Sequence, residues 1–181
     1  MPHLIEHASS GRAKCRACGG KIAAAELRLG ERLPNPFSDE GGEMTHWYHL
    51  VCAAYRRPEA LIEAFEAADV PMASEIADRD RLLDAARLGV AHRRVPRVNA
   101  AERAPTGRAT CRACKTPIEK GAWRISIVFY EEGRFAPGGF VHATCAAAYF
   151  ETTDLMPRLK HFTPGLTDDD AEALDGLLRS T

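Results

Sequence analysis

The segment Gly11-Arg12-Ala13-Lys14-Cys15-Arg16-Ala17-Cys18 recurs 96 residues later as Gly107-Arg108-Ala109-Thr110-Cys111-Arg112-Ala113-Cys114. Farther along, His49-Leu50-Val51-Cys52 returns at an offset of 93 as His142-Ala143-Thr144-Cys145. The first offset also relates two pairs of single residues, Ile22 with Ile118 and Arg28 with Arg124. Repetition at a fixed spacing is the sequence signature of a duplicated structural unit. The chain of 181 residues is therefore predicted to contain two copies of one module.

Each copy carries the pattern C-x2-C followed by H-x2-C. Three thiolates and one imidazole form a closed tetrahedral shell, which is typical of structural zinc and leaves no ligand position for water. A disulfide framework or simply buried cysteines would not explain a histidine at the same place in both copies. The chain is thus predicted to bind two structural Zn²⁺ ions. The predicted ligands are Cys15, Cys18, His49 and Cys52 in the first copy, and Cys111, Cys114, His142 and Cys145 in the second.

His46 is an alternative ligand in the first copy, because it lies three residues before His49. The matching position of the second copy is Gly139, so His49 is preferred. Zinc also suits the size of the modules, since a domain of about 70 residues is near the length at which a small core needs a metal or disulfide staple.

The modules are expected at residues 8–90 and 107–181, with a basic linker at residues 91–106 between them. The linker stretch contains two prolines and no clear apolar period, which favours a flexible coil. The predicted fold class is a pair of small α+β zinc-stapled modules, two tandem zinc fingers. Each finger is expected to hold a short β-sheet with a zinc lobe and C-terminal helices.

Local patterns place the secondary structure within the modules. Alternating or β-branched residues predict strands at 27–33 and 123–130. Apolar residues at helical spacing predict helices at 59–68 and 75–88. Thr167 is expected to cap a last helix, because three aspartates follow it and acidic side chains favour the first turn of a helix.

Composition and charge narrow the class of protein. No apolar run is long enough for a membrane-spanning helix, and residues 1–12 lack the apolar segment of a signal peptide. We therefore expect an intracellular protein, in the cytoplasm or nucleoid of a bacterium or in the nucleus of a eukaryote. The net charge is −1, but residues 91–124 carry +7 while residues 58–90 and 125–181 each carry −5. No catalytic triad, phosphate-binding loop or paired-acid signature is present, so the protein is predicted not to be an enzyme.

The chain resembles the poly(ADP-ribose) polymerase-type zinc finger, a family that senses DNA breaks. Both copies carry the Gly-Arg-Ala-x-Cys-Arg-x-Cys motif, an isoleucine four residues after the second cysteine, and an arginine between apolar residues in the strand. The first copy adds Trp47-Tyr48-His49-x-x-Cys52, and the second ends in Phe162-Thr163-Pro164-Gly165-Leu166-Thr167-Asp168-Asp169-Asp170. We expect no polymerase catalytic domain in this chain, because the end of the second finger uses the residues that follow its zinc ligands.

The resemblance implies how the fingers recognise DNA. In the family, basic residues grip the backbone beside a nick or an end, and apolar loop residues stack on the exposed base pair. The arginines that match the two family motifs are Arg12, Arg108, Arg28 and Arg124. Additional phosphate contacts are expected from Lys14, Arg16 and Arg112. Candidates for stacking, in the loop between the strand and the histidine, are Phe37 and Met44 in the first finger and Phe135 in the second.

The sequence leaves two functions open. The first is a DNA-binding protein that recognises nicks, gaps or ends, acts as a monomer, and assists a DNA ligase or another repair enzyme. The second is a protein-interaction scaffold, in which the zinc lobes present surfaces to a partner and the acidic helices at 59–84 and 168–175 take part.

Overall fold

The computed structural model describes residues 2–35, 42–67, 75–76 and 78–180. The chain divides into two compact units, Met1–Ala91 and His92–Thr181. Each unit holds a three-stranded antiparallel sheet and several short helices, which confirms the α+β fold class. No helix within the described ranges combines the length and the apolar composition that crossing a bilayer requires.

The first unit is built on a meander in which β2 is the central strand. Its strands are β1 (Leu4–His7), β2 (Leu27–Pro34) and β3 (Glu43–His49), and its helices are α1 (Leu50–Arg56), α2 (Pro58–Glu66) and α3 (Arg79–Ala91). Leu29 of β2 and Tyr48 of β3 are register partners and are fully buried. They form the core with the apolar faces of the helices, where Leu61 and Ala86 are also fully buried.

A buried ion pair joins the helices of the first unit to its sheet. Glu31 of β2 is only 1% exposed, and Arg57, between α1 and α2, donates from Nε to its Oε1 over 2.8 Å. A planar guanidinium satisfies both oxygens of a carboxylate at once, so this pair holds the helix junction in one orientation.

The second unit repeats this arrangement. Its strands are β4 (Val98–Arg103), β5 (Trp123–Glu131) and β6 (Arg134–His142), and its helices are α4 (Ala146–Phe150), α5 (Met156–Phe162) and α6 (Asp168–Arg179). Short 3₁₀ turns precede β4 at Val95–Arg97 and α4 at Ala143–Cys145. Ile118, Ile125, Phe150 and Leu174 are fully buried in its core.

The stretch expected to be a flexible linker, residues 91–106, is largely part of the second unit. Its strand β4 pairs with β5, and Val95, Val98 and Ala101 are buried in the core. The many arginines of the stretch obscure this apolar spacing in the sequence. β1 likewise lies before residue 8, where the first module was expected to begin. Each unit therefore takes its first strand from sequence that the motif pattern leaves outside the module.

Most of the predicted elements lie where the patterns place them. The strands predicted at 27–33 and 123–130 are β2 and β5, and α2 covers most of 59–68. Helix α3 begins at Arg79 rather than at residue 75. Glu75 lies outside the helix, and its carboxylate is 3.0 Å from Nε2 of His7 in β1.

Helix α6 confirms the predicted capping pattern. Its N-cap, Thr167, accepts a hydrogen bond from the backbone N–H of Asp170 over 3.2 Å. The three aspartates of the first turn lie at the positive end of the helix dipole.

A bulge in the second sheet depends on glycine. The register between β5 and β6 shifts at Ile127 and Val128, and Gly138 is the residue without a partner in this shift. A Cβ at Gly138 would lie 2.7 Å from the ring of Phe129 and 3.1 Å from Ile127. The bulge therefore brings the backbone against the Phe129 ring, where no side chain fits.

Replacing Gly138 with alanine is expected to destabilise the second unit by about 1–3 kcal/mol, because the Phe129 ring or the strand must move. Gly176→Ala is the matched control in the same unit, since a Cβ at Gly176 in α6 meets nothing within 4 Å. That control is expected to stabilise the unit by about 0.5–1 kcal/mol through helix propensity. Urea unfolding followed by circular dichroism measures both. Equal stability of the two variants would contradict the steric account.

Candidate metal centres and the basic surface around them

The predicted ligands meet in two separate clusters, one in each unit. Within each cluster the four ligand atoms all lie within 4.8 Å of one another. The clusters are Cys15, Cys18, His49 and Cys52, and Cys111, Cys114, His142 and Cys145. His46 is outside the first cluster, and its buried ring faces Arg16, Glu31 and Arg57. A set of three sulfurs and one imidazole nitrogen is the donor set of structural zinc, so each cluster fits one Zn²⁺ ion.

A tight turn supplies the first two ligands of each cluster. In the first unit, the N–H of Gly19 donates to Cys15 O over 2.8 Å, and Gly19 has a φ of 73°. In the second unit, Lys115 occupies the same place with a φ of 64° and donates to Cys111 O over 3.0 Å. Each turn also binds the third strand of its own sheet, through Arg16 N to Trp47 O and Arg112 N to Phe140 O.

Both histidines point Nδ1 into the cluster. His49 Nδ1 is 3.5 Å from Cys18 Sγ, and His142 Nδ1 is 3.4 Å from Cys114 Sγ. The other ring nitrogen, Nε2, lies 3.2 Å from the carbonyl oxygen of Lys21 in the first unit and of Pro117 in the second. A carbonyl acceptor fixes the proton on Nε2 and leaves Nδ1 free to bind a metal.

The thiols of each cluster have divergent pKa values because the sulfurs are close together. A hydrogen bond with Cys52 lowers the pKa of Cys15 to about 4, and the same bond raises the pKa of Cys52. In the second unit, a hydrogen bond with Thr116 lowers the pKa of Cys114 to about 6, while burial raises the pKa of Cys145 to about 11. Three thiolates so close together require a cation, and metal binding releases the remaining protons.

A buried arginine lies beside the first cluster. Arg56 in α1 is only 3% exposed, and burial lowers its pKa to about 10, against the opposing effect of the nearby Cys52, Cys15 and Cys18. It therefore stays charged at neutral pH and offsets the single negative charge of a zinc ion with three thiolates. The sequence repeat gives no signal of this role, because the matching residue of the second unit is Tyr149.

The strand arginine of the first unit lies directly across the sheet from a zinc ligand. Arg28 is the register partner of His49 on one side and of Glu6 on the other. Its Nη2 donates to Glu6 Oε1 over 2.6 Å, and its guanidinium carbon lies 3.5 Å from the centre of the Trp47 ring. Arg28 is 6% exposed, so the carboxylate and the ring hold it in one place.

The second unit repeats this cross-strand row of carboxylate, arginine and histidine, but a phenylalanine replaces the tryptophan against the arginine. Arg124 pairs across the sheet with His142 and with Glu102. Its Nε donates to Glu102 over 2.9 Å, and its guanidinium carbon lies 3.6 Å from the centre of the Phe140 ring. The motif analysis missed Glu6 and Glu102, although the offset of 96 residues relates them too.

The other predicted basic contacts lie around the turns that hold the cysteines. Arg12, Lys14, Arg16, Arg108 and Arg112 are exposed. No carboxylate in the described part of the chain forms an ion pair with any of the five. Arg112 is the most ordered of them, since its Nε donates to Gly138 O over 2.7 Å. Each metal turn therefore carries positive charge toward solvent.

Two of the three candidates for base stacking, Met44 and Phe135, lie on the third strand of their sheets. Met44 is half-buried in β3 opposite Leu33, and Phe135 is half-buried in β6 with its ring centre 4.9 Å from that of Tyr130. Phe37 lies outside the described residues. The DNA contacts assigned to these side chains and to the arginines stay predictions.

Comparison with known proteins gives consistent similarities. Residues 6–90 match the family described as the poly(ADP-ribose) polymerase and DNA-ligase zinc-finger region. The chain is 32% identical to poly [ADP-ribose] polymerase 1 of Gallus gallus over 136 residues, which are 69% of the chain and 13% of that protein. It is 30% identical to the Xenopus laevis protein of the same name over 189 residues, which are 92% of the chain and 18% of that protein.

The Drosophila melanogaster poly [ADP-ribose] polymerase is 27% identical over 192 residues, covering 94% of the chain and 18% of that protein. The chain thus spans less than a fifth of the length of these relatives. The family match covers the first unit, and the second unit repeats both its Cys₃His cluster and the arginine opposite its histidine. Residues 6–90 therefore belong to the poly(ADP-ribose) polymerase-type zinc-finger family.

Proposed function

We propose that this protein is a non-enzymatic, zinc-dependent DNA-binding protein that recognises strand breaks and assists their repair or ligation. The observation that carries the proposal is a cross-strand row of carboxylate, arginine and metal-cluster histidine, which is present once in the sheet of each unit. In each unit it places one restrained guanidinium next to the metal lobe.

The rows support backbone recognition because their arginines need little reordering to bind. In the first unit, Glu6 engages Nε and Nη2 of Arg28, which leaves the Nη1 donors of the fork for a phosphate oxygen. A guanidinium that is already oriented loses less entropy per hydrogen bond than a free one. The exposed arginines of the metal turns add contacts of the sequence-independent kind, which position a protein on a duplex.

A preference for breaks requires a contact that an intact duplex lacks. Met44, Phe135 and, by the family resemblance, Phe37 are the apolar side chains proposed to stack on the exposed base pair. Stacking of one base on an aromatic side chain contributes about 1–3 kcal/mol. With a net charge of −1, the protein gains little from non-specific attraction, so stacking accounts for most of the preference.

We propose a binding protein rather than an enzyme because the chain matches only a small part of the polymerases, and the matched family is a zinc-finger region. The polymerases span more than five times the matched length, and the matched family is named for a zinc-finger region. The same name includes DNA ligase, which supports a partner that seals or processes breaks. A monomer in the nucleoid or the nucleus fits this role.

Break recognition is expected to appear as tighter binding of a nicked or blunt-ended duplex than of closed circular DNA, by about tenfold, which corresponds to one stacking contact. Fluorescence anisotropy with a labelled nicked duplex, with unlabelled DNAs as competitors at a stated salt concentration, measures this ratio. Equal competition by both DNAs would end the claim of break recognition. A failure to bind any DNA would favour the protein-interaction scaffold.

Replacing Arg28 and Arg124 together with alanine is expected to weaken binding to the nicked duplex by about 100-fold, since each charge-assisted contact contributes about 1.5–3 kcal/mol. Arg81→Ala with Arg179→Ala is the matched control, because it removes two arginines of exposed ion pairs. Zinc content and melting temperature of each variant separate lost contacts from lost folding. A folded, zinc-loaded double variant with normal binding would disprove the assignment.

Removing zinc with a strong chelator is expected to unfold the Cys–His lobes and abolish DNA binding together, because each cluster joins the metal turn to the third strand and the following helix. Circular dichroism follows the fold, metal analysis follows the zinc content, and fluorescence anisotropy follows DNA binding, all on one sample. Native spectra and unchanged DNA binding in a sample shown to be free of zinc would contradict this dependence.

A further inference from the structure

A cleft beside the second metal centre combines an arginine of the cysteine motif, Arg112, with Arg94, which lies outside every family motif. Its volume is about 570 Å³. The described residues that line it include two arginines and a tyrosine but no aspartate or glutamate. They are Arg94, Arg112, Ala113, Cys114, Thr144, Cys145, Ala148 and Tyr149.

Each arginine of the cleft donates one hydrogen bond to a backbone carbonyl oxygen of the second unit. Arg94 donates from Nη1 to Tyr149 O over 3.1 Å, and its guanidinium carbon lies 4.9 Å from the centre of the Tyr149 ring. Arg112 donates from Nε to Gly138 O over 2.7 Å. Neither bond uses a carboxylate, so both guanidinium groups keep their full charge and further N–H donors for an anion.

Aromatic stacking extends the positive surface beyond the cleft. The guanidinium carbons of Arg97 and Arg112 lie 4.9 and 5.7 Å from the centre of the Phe129 ring. The bulge at Gly138 makes this arrangement possible, because a side chain there would displace the Phe129 ring. Basic side chains interleaved with aromatic rings are typical of surfaces that bind single strands of nucleic acid.

The two arginines carry more positive charge than is needed to neutralise a zinc-loaded metal centre. A zinc ion with three thiolates and a neutral histidine has a net charge of −1, whereas Arg94 and Arg112 together contribute +2. One positive charge therefore remains in the cleft, which suits an anion small enough to enter it. In the first unit, the arginine beside the metal centre is Arg56, which is only 3% exposed and is therefore not available to an anion in solution.

We propose that this cleft binds a backbone phosphate of the DNA strand, between Arg94 and Arg112. The site lies in the second unit and is separate from the strand arginine, Arg124; its new member is Arg94, whereas Arg112 belongs to the cysteine motif. The inference rests on the proposed DNA-binding function and adds to it a specific anion site. It also gives a role to the basic stretch before β4, which supplies Arg94 and Arg97.

The test compares the salt dependence of DNA binding in two single-charge variants of the full chain. Arg94→Gln removes the cleft arginine, and Arg93→Gln removes an exposed neighbour that is not among the described lining residues. Loss of one phosphate contact makes the slope of log affinity against log salt shallower by about 0.9. We expect this change for Arg94→Gln and a change near zero for Arg93→Gln, with a nicked duplex as the probe.

A second pair of variants tests the cleft without touching either arginine. Ala148 is exposed in α4 and lines the cleft, so Ala148→Glu places a carboxylate there, and Ala148→Gln adds nearly the same volume without charge. We expect Ala148→Glu to bind the nicked duplex about tenfold more weakly than Ala148→Gln, because the carboxylate repels a phosphate.

The outcomes separate this site from the proposed function. If the wild type does not bind DNA, the proposed function fails, and this inference fails with it. If the wild type binds nicked DNA but either pair shows no difference, the cleft is not a phosphate site and only this inference fails. Loss of zinc from the Arg94→Gln protein, with no difference in the Ala148 pair, would assign Arg94 to the metal centre and overturn the proposal.

Discussion

Coordination of one zinc ion by three thiolates and one imidazole is the constraint on which each unit depends. The ligands come from the turn between the first and second strands, the end of the third strand and the segment that follows it. A single metal ion thus joins three segments that are distant in the sequence. The apolar core of each unit is small, so these bonds contribute stability that side-chain packing alone would not supply.

The strand arginine connects this metal lobe to the proposed binding surface. Arg28 is the register partner of His49, so the strand that carries the guanidinium pairs directly with the strand that ends in a metal-cluster residue. Glu6 and Trp47 then restrict its orientation from the opposite side and from the ring face. These contacts account for the low exposure of Arg28, 6%, and they hold in one orientation the guanidinium that we propose binds a phosphate.

The two units share this framework but differ around it. The first has a buried arginine beside its metal centre, whereas the second has Tyr149 and an open cleft at the same place. The aromatic partner of the strand arginine is Trp47 in one unit and Phe140 in the other. Such differences allow one unit to contribute contacts that the other lacks, within a single duplicated fold.

The duplication, the eight candidate zinc ligands, the α+β class and most helices and strands could be predicted from the amino-acid sequence. Ligand spacing, capping and apolar period are local properties, so they are visible in one chain. The folded structure was needed to show that Val98–Arg103 is a strand, that Glu6 and Glu102 pair with arginines, and that Arg94 lines a cleft with Arg112. These features depend on strand register and on contacts between distant residues, which no local pattern encodes.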